Sequence, residues 1–488
     1  MARIAVIGAG TGAMATAARL AVAGHRVTVY ERSADYGGAV GRYERDGFTF
    51  DTGPGLLHLP AVYRDLFVKT GKRPLEECVR MVQVDPQVRH LLADGTALTL
   101  PNASRGGVAA ALDQAFGAGA GDRWNALLNR ARDVWDATRR PLLEEPLRPD
   151  WQVLGRDPYP ALRKAGLFRR RTPDLGRIAE HELGGPLAAL LLDEAHGHGL
   201  DSAAPGAATV LPYMEQTFGS WYVLGGMREL ATAVYERCLE RKVEFRFGAD
   251  VREVLVRDGR AAGVLLADGT TGTADQVVCA VDPTGLSLPA PGGGSPWPAG
   301  ARPPRDGLEM TGRLTLMLAL RGTRPEGTVH RTEVHSPGRG RRVVTVLRPD
   351  DPATRPDEEH EAVTVRATCA PQGVVDWTDG PTVRKEAEEL LEAASRAVPG
   401  LRERLLWQEV RTPADVEAST GARGGAVPGP ALAGAEGRLL YPANTTAVPG
   451  LYLAGGWAHP GGGLAHAGMS GALVAGLIVE GADFRGSQ

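Results

Sequence analysis

Short apolar runs alternate with amphipathic stretches along most of this chain. Arg3–Ile7 (RIAVI) is a β-branched apolar run that reads as a buried parallel strand. Residues 14–23 carry Ala and Leu at helical spacing, Gly24 follows as a left-handed cap, and Arg26–Tyr30 (RVTVY) reads as a second strand. Residues 60–70 predict a helix with proline in its first turn and Gly71 beyond its end. Residues 84–100 predict two strands about an Asp94-Gly95 turn, followed by helices over 108–116 and 123–138. A helix over 228–241 precedes strands at 244–247, 249–257, 261–266 and 274–280. Residues 282–307 are dense in Pro and Gly and read as a long loop. Strands at 313–320, 342–347 and 363–368 and a helix at 382–397 follow. The chain closes with a strand over 450–456 ending in glycines and an Ala-rich helix from about Ala467 to Val479.

Between the first strand and the first helix stand Gly8, Ala9, Gly10, Thr11, Gly12 and Ala13. Gly8 suits the tight turn, Gly10 lets the backbone approach a pyrophosphate, and Ala13 is small enough for helix to pack on strand. The helix N-terminus adds unpaired N–H groups and about half a positive charge. Glu31 ends the second strand roughly 20 residues beyond the glycines, where a carboxylate accepts hydrogen bonds from ribose hydroxyls. Residues 117–121 are also glycine-rich, but they follow a helical stretch and read as a connection. No second dinucleotide fingerprint is found, so a nicotinamide nucleotide bound to this chain is not expected.

Composition narrows the classes further. The 488 residues suffice for two large domains, and a net charge of −3 supplies no bulk attraction for nucleic acid. Lys occurs only at positions 69, 72, 164, 242 and 385 among 55 basic residues, which with 64 Gly and 35 Pro reads as coding bias. Cys78, Cys238, Cys279 and Cys369 form no C-x-x-C, so neither a metal site nor a disulfide framework is indicated and a cytoplasmic setting is expected. His196 and His198 are two apart with no third ligand nearby, which is poor for zinc. No run of about 18 apolar residues predicts a transmembrane helix. Any membrane contact is expected to be peripheral, at the inner face, through the Arg-rich 162–177 around Leu162, Leu167 and Phe168; a solvated helix end is the plainer alternative.

Beyond Glu31 and Arg32 come Gly37-Gly38 and then Gly47-Phe48-Thr49-Phe50-Asp51-Thr52-Gly53-Pro54. This pattern resembles the amine oxidase-related flavoprotein superfamily, and GFTFDTGP resembles its phytoene desaturase (carotenoid desaturase) branch. The resemblance implies FAD, with the double glycine at its phosphate region and the Gly53-Pro54 turn close to the flavin. The family commonly has a basic residue directly after the double glycine; here Ala39 stands there and Arg42 comes three residues later. Trp221-Tyr222-Val223-Leu224-Gly225-Gly226-Met227 matches a family segment that opens a helix of the FAD domain, and Val251 is then the adenine-side position. Cys279 departs from the family's frequent Asn. Thr412-Pro413-Ala414-Asp415 and Gly424-Gly425-Ala426 resemble late substrate-domain motifs. Gly455-Gly456-Trp457-Ala458-His459-Pro460 resembles the turn that closes over the flavin, with Gly468 and Met469 expected to aim free N–H groups at it.

The implied fold is α/β: a Rossmann-like FAD-binding domain of three segments (1–75, 210–290, 435–488) interleaved with an α+β substrate-binding domain (76–209, 291–434). The implied function is dehydrogenation of carbon–carbon bonds in an apolar, polyene-like substrate by hydride transfer to FAD, with O2 or a quinone as acceptor. The resemblance also admits a redox-neutral polyene isomerase, an FAD-dependent amine oxidase, and a non-catalytic prenyl- or lipid-binding chaperone. Trp221 and Tyr222 either line an apolar tunnel or pack a domain interface. His58, Glu215 and His459 are the candidate bases, His459 reading rather as a turn-stabilising or flavin-lining residue. No indispensable base is expected, because a hydride leaving next to a double bond leaves a cation whose neighbouring C–H is acidic.

Overall fold

The structure, a computed structural model, describes residues 1–160, 173–289, 310–336 and 342–486. Arg3–Ile7 is buried from Ile4 onward, as a strand covered on both faces must be. It pairs in parallel with Arg26–Tyr30 on one side and Gln276–Cys279 on the other. Glu244–Arg246 and Leu451–Leu453 extend this five-stranded parallel sheet at its two edges. Its strands thus come from the beginning, the middle and the end of the chain.

A three-stranded antiparallel sheet (Val251–Arg257, Arg260–Leu266, Thr271–Thr273) lies beside it. The other large sheet has seven strands, in the order Leu405–Arg411, Gly312–Arg321, His360–Cys369, Val343–Leu347, Arg331–His335, Val88–Leu91 and Ala97–Leu100. Helices Arg105–Phe116, Ala120–Arg139, Gly185–Gly197 and Val210–Phe218 share a separate apolar core. The architecture is α/β, with a Rossmann-like parallel sheet and a mixed sheet-and-helix region.

Several elements depart from the sequence expectation. The first helix is Thr11–Val22, because Gly10 already serves as its N-cap. The last helix begins at Leu464, three residues before Ala467, because Gly463 at φ +96° turns the chain directly into it. Strands Arg331–His335 and Leu405–Arg411 were not anticipated; RTEVH carries polar residues on both faces, so neither period shows. The connection expected over 117–121 is only 117–119; Ala120 and Gly121 already open the second helix, and a Cβ at Gly121 would come within 2.5 Å of the Ala109 carbonyl. Of the 162–177 segment, residues 162–172 lie outside the described residues, as do 290–309 of the long loop. Among the described residues no helix is long and apolar enough to cross a membrane.

The first and last helices cross in close contact. A Cβ on Gly12 would lie 2.8 Å from both the Ala467 carbonyl and the Gly455 Cα, and one on Gly471 would lie 2.8 Å from the Thr16 nitrogen. Glycine at these positions lets the two helices approach backbone to backbone.

Candidate active site

The glycine turn after the first strand is held from several directions. Gly8 adopts φ +94° and donates to the Tyr30 carbonyl at 2.8 Å. Glu31 is nearly buried; its carboxylate accepts from Ala9 N at 2.7 Å and from Ser33 N at 2.8 Å. Glu31 therefore orders the turn itself, and each oxygen keeps a second lone pair for a further donor. Gly37 donates to the Ala9 carbonyl at 2.8 Å, and a Cβ on Gly38 would lie 3.0 Å from the Gly10 Cα, so the double glycine rests against the turn. Gly10 differs from its neighbours: a Cβ there would meet no protein atom within 4 Å. The N–H groups of Thr11, Gly12 and Ala13 begin the helix beside that space, and Ala13 is buried against the sheet. Val251 packs with Ala5, Ile7 and Tyr30 next to the Glu31 strand.

Two arginines of the expected set make other contacts. Arg42 pairs with Glu229 and donates to the Gly225 carbonyl at 3.3 Å. Arg32 reaches the carbonyls of Glu417 and Ala418 at the C-terminus of the Pro413–Thr420 helix, a favourable place for a cation but away from the glycine turn. The arginine that does lie under the double glycine is Arg228. It donates to the Tyr36 carbonyl at 2.6 Å and to Asp35 at 2.7 Å, and stacks over the Tyr36 ring at 4.0 Å. The sequence signal was its place directly after Gly225-Gly226-Met227. Asp51 caps the same helix, accepting from Met227 N at 2.9 Å, while Gly53 sits so close to the Ala39 carbonyl that a Cβ would overlap it; Pro54 continues that turn.

At the other end of the chain, Gly455 adopts φ +79° and donates to Ser470 Oγ at 2.7 Å; Ser470 in turn donates to the Ala467 carbonyl at 2.7 Å. Gly456 lies beside Pro428. Because the helix starts at Leu464, its unpaired N–H groups belong to Leu464, Ala465 and His466, whereas Ala467 N already bonds to the Gly463 carbonyl. Gly468 and Met469 are corrected accordingly: both are buried in the helix interior, Gly468 against Val62 and Tyr63. Burial pushes Tyr63 up to about 12, and its hydroxyl donates to the Leu464 carbonyl at 3.0 Å.

A cleft of about 380 Å³ opens beside this strand end. It runs from Trp457 and Pro283 past Leu432 to Leu211 and His198. Beyond it is a cluster of charged side chains that no local motif announced. Arg331 bridges Glu215, on the Val210–Phe218 helix, and Glu333, the latter at 2.6 Å. Burial would push Glu215 up, but Arg331, His58 and His198 together hold it below its usual value. Burial, then Glu215 and Glu333, push Glu194 well above the usual carboxylate range, against the pull of Arg331. Burial lowers His58, and lowers His198 to about 4 with help from Arg313. These groups are enclosed by protein, yet His198 is exposed and His58, Glu194, Glu215 and Arg331 keep partial accessibility.

His459 stands apart. It is fully buried, its Nε2 donates to the Glu145 carbonyl at 2.9 Å, and burial lowers it to about 4. Trp221 pairs its backbone with Leu57 and lies under Arg64; Tyr222 donates to Asp351 at 3.0 Å and packs on His330. Neither borders the 380 Å³ cleft. Among the described residues, no three His, Cys, Asp or Glu side chains are grouped to hold a metal ion.

The family model described as flavin containing amine oxidoreductase matches residues 14–479. A 4,4'-diapolycopene oxygenase from Methylomonas sp is 31% identical over 277 residues, 57% of this chain and 55% of the relative, so that match spans about half of either protein. A hydroxyneurosporene desaturase from Cereibacter sphaeroides is 29% identical over 98% of this chain and 97% of its own. Among solved structures, an oxidoreductase from Methanosarcina mazei superposes with a TM-score of 0.63 over 96% of this chain and 98% of the other; at 17% identity this speaks to the fold alone.

Proposed function

The chain belongs to the flavin containing amine oxidoreductase family and is an FAD-dependent oxidoreductase, and we propose that it dehydrogenates carbon–carbon bonds of an apolar, polyene-like substrate. The observation that carries this reading is the cleft, which lies past the ends of strands Gln276–Cys279 and Leu451–Leu453, at Pro283 and Trp457, and includes apolar side chains such as Leu211, Leu432 and Leu439. The end-to-end likeness to a hydroxyneurosporene desaturase supports it. In this reading residues 1–75, 210–290 and 435–488 hold FAD, and 76–209 and 291–434 hold substrate.

The open space at Gly10, the adjoining helix N-terminus and the spare lone pairs of Glu31 fit a dinucleotide. The N–H groups of Thr11–Ala13 would hold the pyrophosphate and Glu31 the ribose. Leu464, Ala465 and His466 offer the positive end of the last helix to negative charge. When bound, FAD supplies the hydride acceptor. No side chain is required as a strong base, because loss of hydride beside a double bond leaves an acidic C–H whose proton passes to water. The final acceptor is O2 or a quinone, since only one dinucleotide fingerprint is present.

Anaerobic mixing of the yellow protein with linear polyenes tests this reading. Bleaching of the flavin with gain of a double bond in the polyene is expected. A flavin-loaded protein that no polyene bleaches, or one bleached rapidly by NADPH, overturns it. A colourless protein that still binds polyene would instead favour the chaperone.

A further inference from the structure

The seven-stranded sheet has two unlike faces. Leu314, Leu316, Val344, Val363 and Val365 point into an apolar core shared with the Gly380–Ser395 helix. Arg366, next to Val365, points the other way and donates from Nη2 to the Asp51 carbonyl at 3.0 Å. Directly across from it on the flanking strands stand Thr315 and Thr345, which bear hydroxyls and no charge.

Arg366 is enclosed by protein, yet among the described residues it forms no ion pair and no second hydrogen bond. The acids around it are committed elsewhere. The Asp51 carboxylate accepts from Met227 N at 2.9 Å and from Arg228 N at 3.3 Å. Glu333, beyond Thr345, pairs with Arg331 and accepts from Thr345 Oγ1 at 2.8 Å. A guanidinium carries five N–H donors, and a buried one without an anion is costly. Burial, with repulsion from Arg313, pulls Arg366 down to about 10 against the attraction of Asp51.

Arg366 also lines a second cavity, of about 30 Å³, with Thr364, Leu347, Gly55, Gly226 and His330. That is room for a water or for the edge of a larger group, and not for a polyene. The loop that Arg366 touches joins the two ends of the dinucleotide site. On one side a Cβ on Gly53 would overlap the Ala39 carbonyl, and Gly38 rests on Gly10. On the other side the loop enters the Ala61–Thr70 helix, whose Tyr63 donates to the Leu464 carbonyl at the head of the last helix.

We propose that Arg366 supplies the fixed positive charge that stabilises reduced FAD. A cofactor reaching from Gly10 to the head of the last helix passes beside the loop that Arg366 holds. When the polyene is oxidised, its C–H bond breaks with the electron pair, which reduces FAD and leaves it one negative charge; the second proton passes to water. A cation fixed in a desolvated place favours that charged state over the neutral oxidised one. The proposal rests on the FAD site of the reading above and adds to it a residue from the half assigned to substrate.

The test measures midpoint potentials by dye equilibration on the FAD-loaded enzyme, on Arg366→Gln and on Arg366→Lys. Gln keeps a donor for the Asp51 carbonyl and removes the charge, whereas Lys keeps both. In Arg366→Gln the affinity for reduced relative to oxidised FAD should fall about 10- to 100-fold, as for loss of one charge-assisted bond. The midpoint potential then falls by about 30–60 mV, at about 30 mV per tenfold for two electrons. Arg366→Lys should keep most of the wild-type potential. Where a variant releases FAD, its separate affinities for reduced and oxidised FAD give the same ratio. An unchanged ratio in Arg366→Gln, or an equal fall in Arg366→Lys, makes Arg366 a support for the Asp51 loop and overturns the proposal. No polyene enters this measurement, so its failure leaves the dehydrogenase reading standing, and failure of polyenes to bleach the wild type leaves the Arg366 result intact.

Discussion

At Gly10 the first helix turns backbone N–H groups toward open space; around Arg331, side chains from well-separated stretches of chain turn their charges toward one another. The first site is made of main chain, and its selectivity comes from the absence of side chains. The second is made of side chains whose meaning depends on which others are near. A backbone site tolerates change everywhere except where a Cβ would enter the ligand's volume. A charged cluster tolerates loss of none of its members alone, because each removal strands a buried partner.

Gly10→Val should have the largest effect and tests the backbone half of this contrast. The branched side chain meets no protein atom, so stability should change by no more than about 0.5 kcal/mol, as for a surface substitution. The pyrophosphate's space is filled, and the protein should purify almost colourless. A variant that keeps its FAD removes the glycine turn from the cofactor site. Gly12→Val is the control, since it overpacks two helices and costs stability, about 1–3 kcal/mol.

Arg331→Leu tests the other half. It leaves Glu215 and Glu333 buried without their cation, and unfolding by denaturant should show a loss of about 3–5 kcal/mol. A loss under 1 kcal/mol would mean that the cluster is well hydrated and behaves like a surface.

The difference in construction also explains what could be read from the sequence. Gly8, Gly10, Ala13 and Glu31 fall within one strand–turn–helix–strand unit, so spacing alone placed them. His58, Glu194, His198, Glu215 and Arg331 come from a loop, two helices and a strand, and meet only in the folded chain. Arg331 and Glu333 sit on a strand whose buried positions include Thr332, Glu333 and His335, and no hydrophobic period marks it. Arg42 was proposed for the double glycine because it is near in sequence; Arg228, nearly two hundred positions away, arrives there because Asp51 caps its helix. The final helix was placed three residues late because its Gly461-Gly462-Gly463 run reads as loop, although Gly463 is already the cap.

A third expected effect concerns His459, whose single ring contact is the Glu145 carbonyl. Its folded value of about 4 lies below 6.5, so between these values the unfolded chain binds more protons. Stability should therefore be full above about pH 7 and decline toward pH 4, by up to about 3 kcal/mol from this residue. His459→Gln, which keeps a donor for the carbonyl, should flatten that decline and lower the rate of flavin reduction by less than about 10². A larger rate loss with intact flavin would make His459 a base. An unchanged pH profile would mean that the ring is neutral for another reason.

The smallest effect is expected at Glu31→Ala, which joins both kinds of construction, a side chain serving the main-chain turn. Flavin affinity should fall by about 1.5–3 kcal/mol through loss of charge-assisted bonds. Thermal stability should fall too, because Ala9 N and Ser33 N lose their acceptor. Full FAD retention under dialysis would show that the carboxylate serves the turn alone.

The contact of Gly12 with Gly455 and Ala467 has a consequence for the order of events in the cell. The glycine turn leaves the ribosome before the strand and helix that cover it, which emerge more than 440 residues later. At about 5–20 residues per second the nascent turn waits tens of seconds for its lid. During that time Arg3–Ile7 has one sheet neighbour to hand, Arg26–Tyr30, and its other, Gln276–Cys279, is still unmade. Cofactor loading is thus a late event in synthesis, and Arg3–Ile7 stays unpaired on one side until Gln276–Cys279 has left the tunnel.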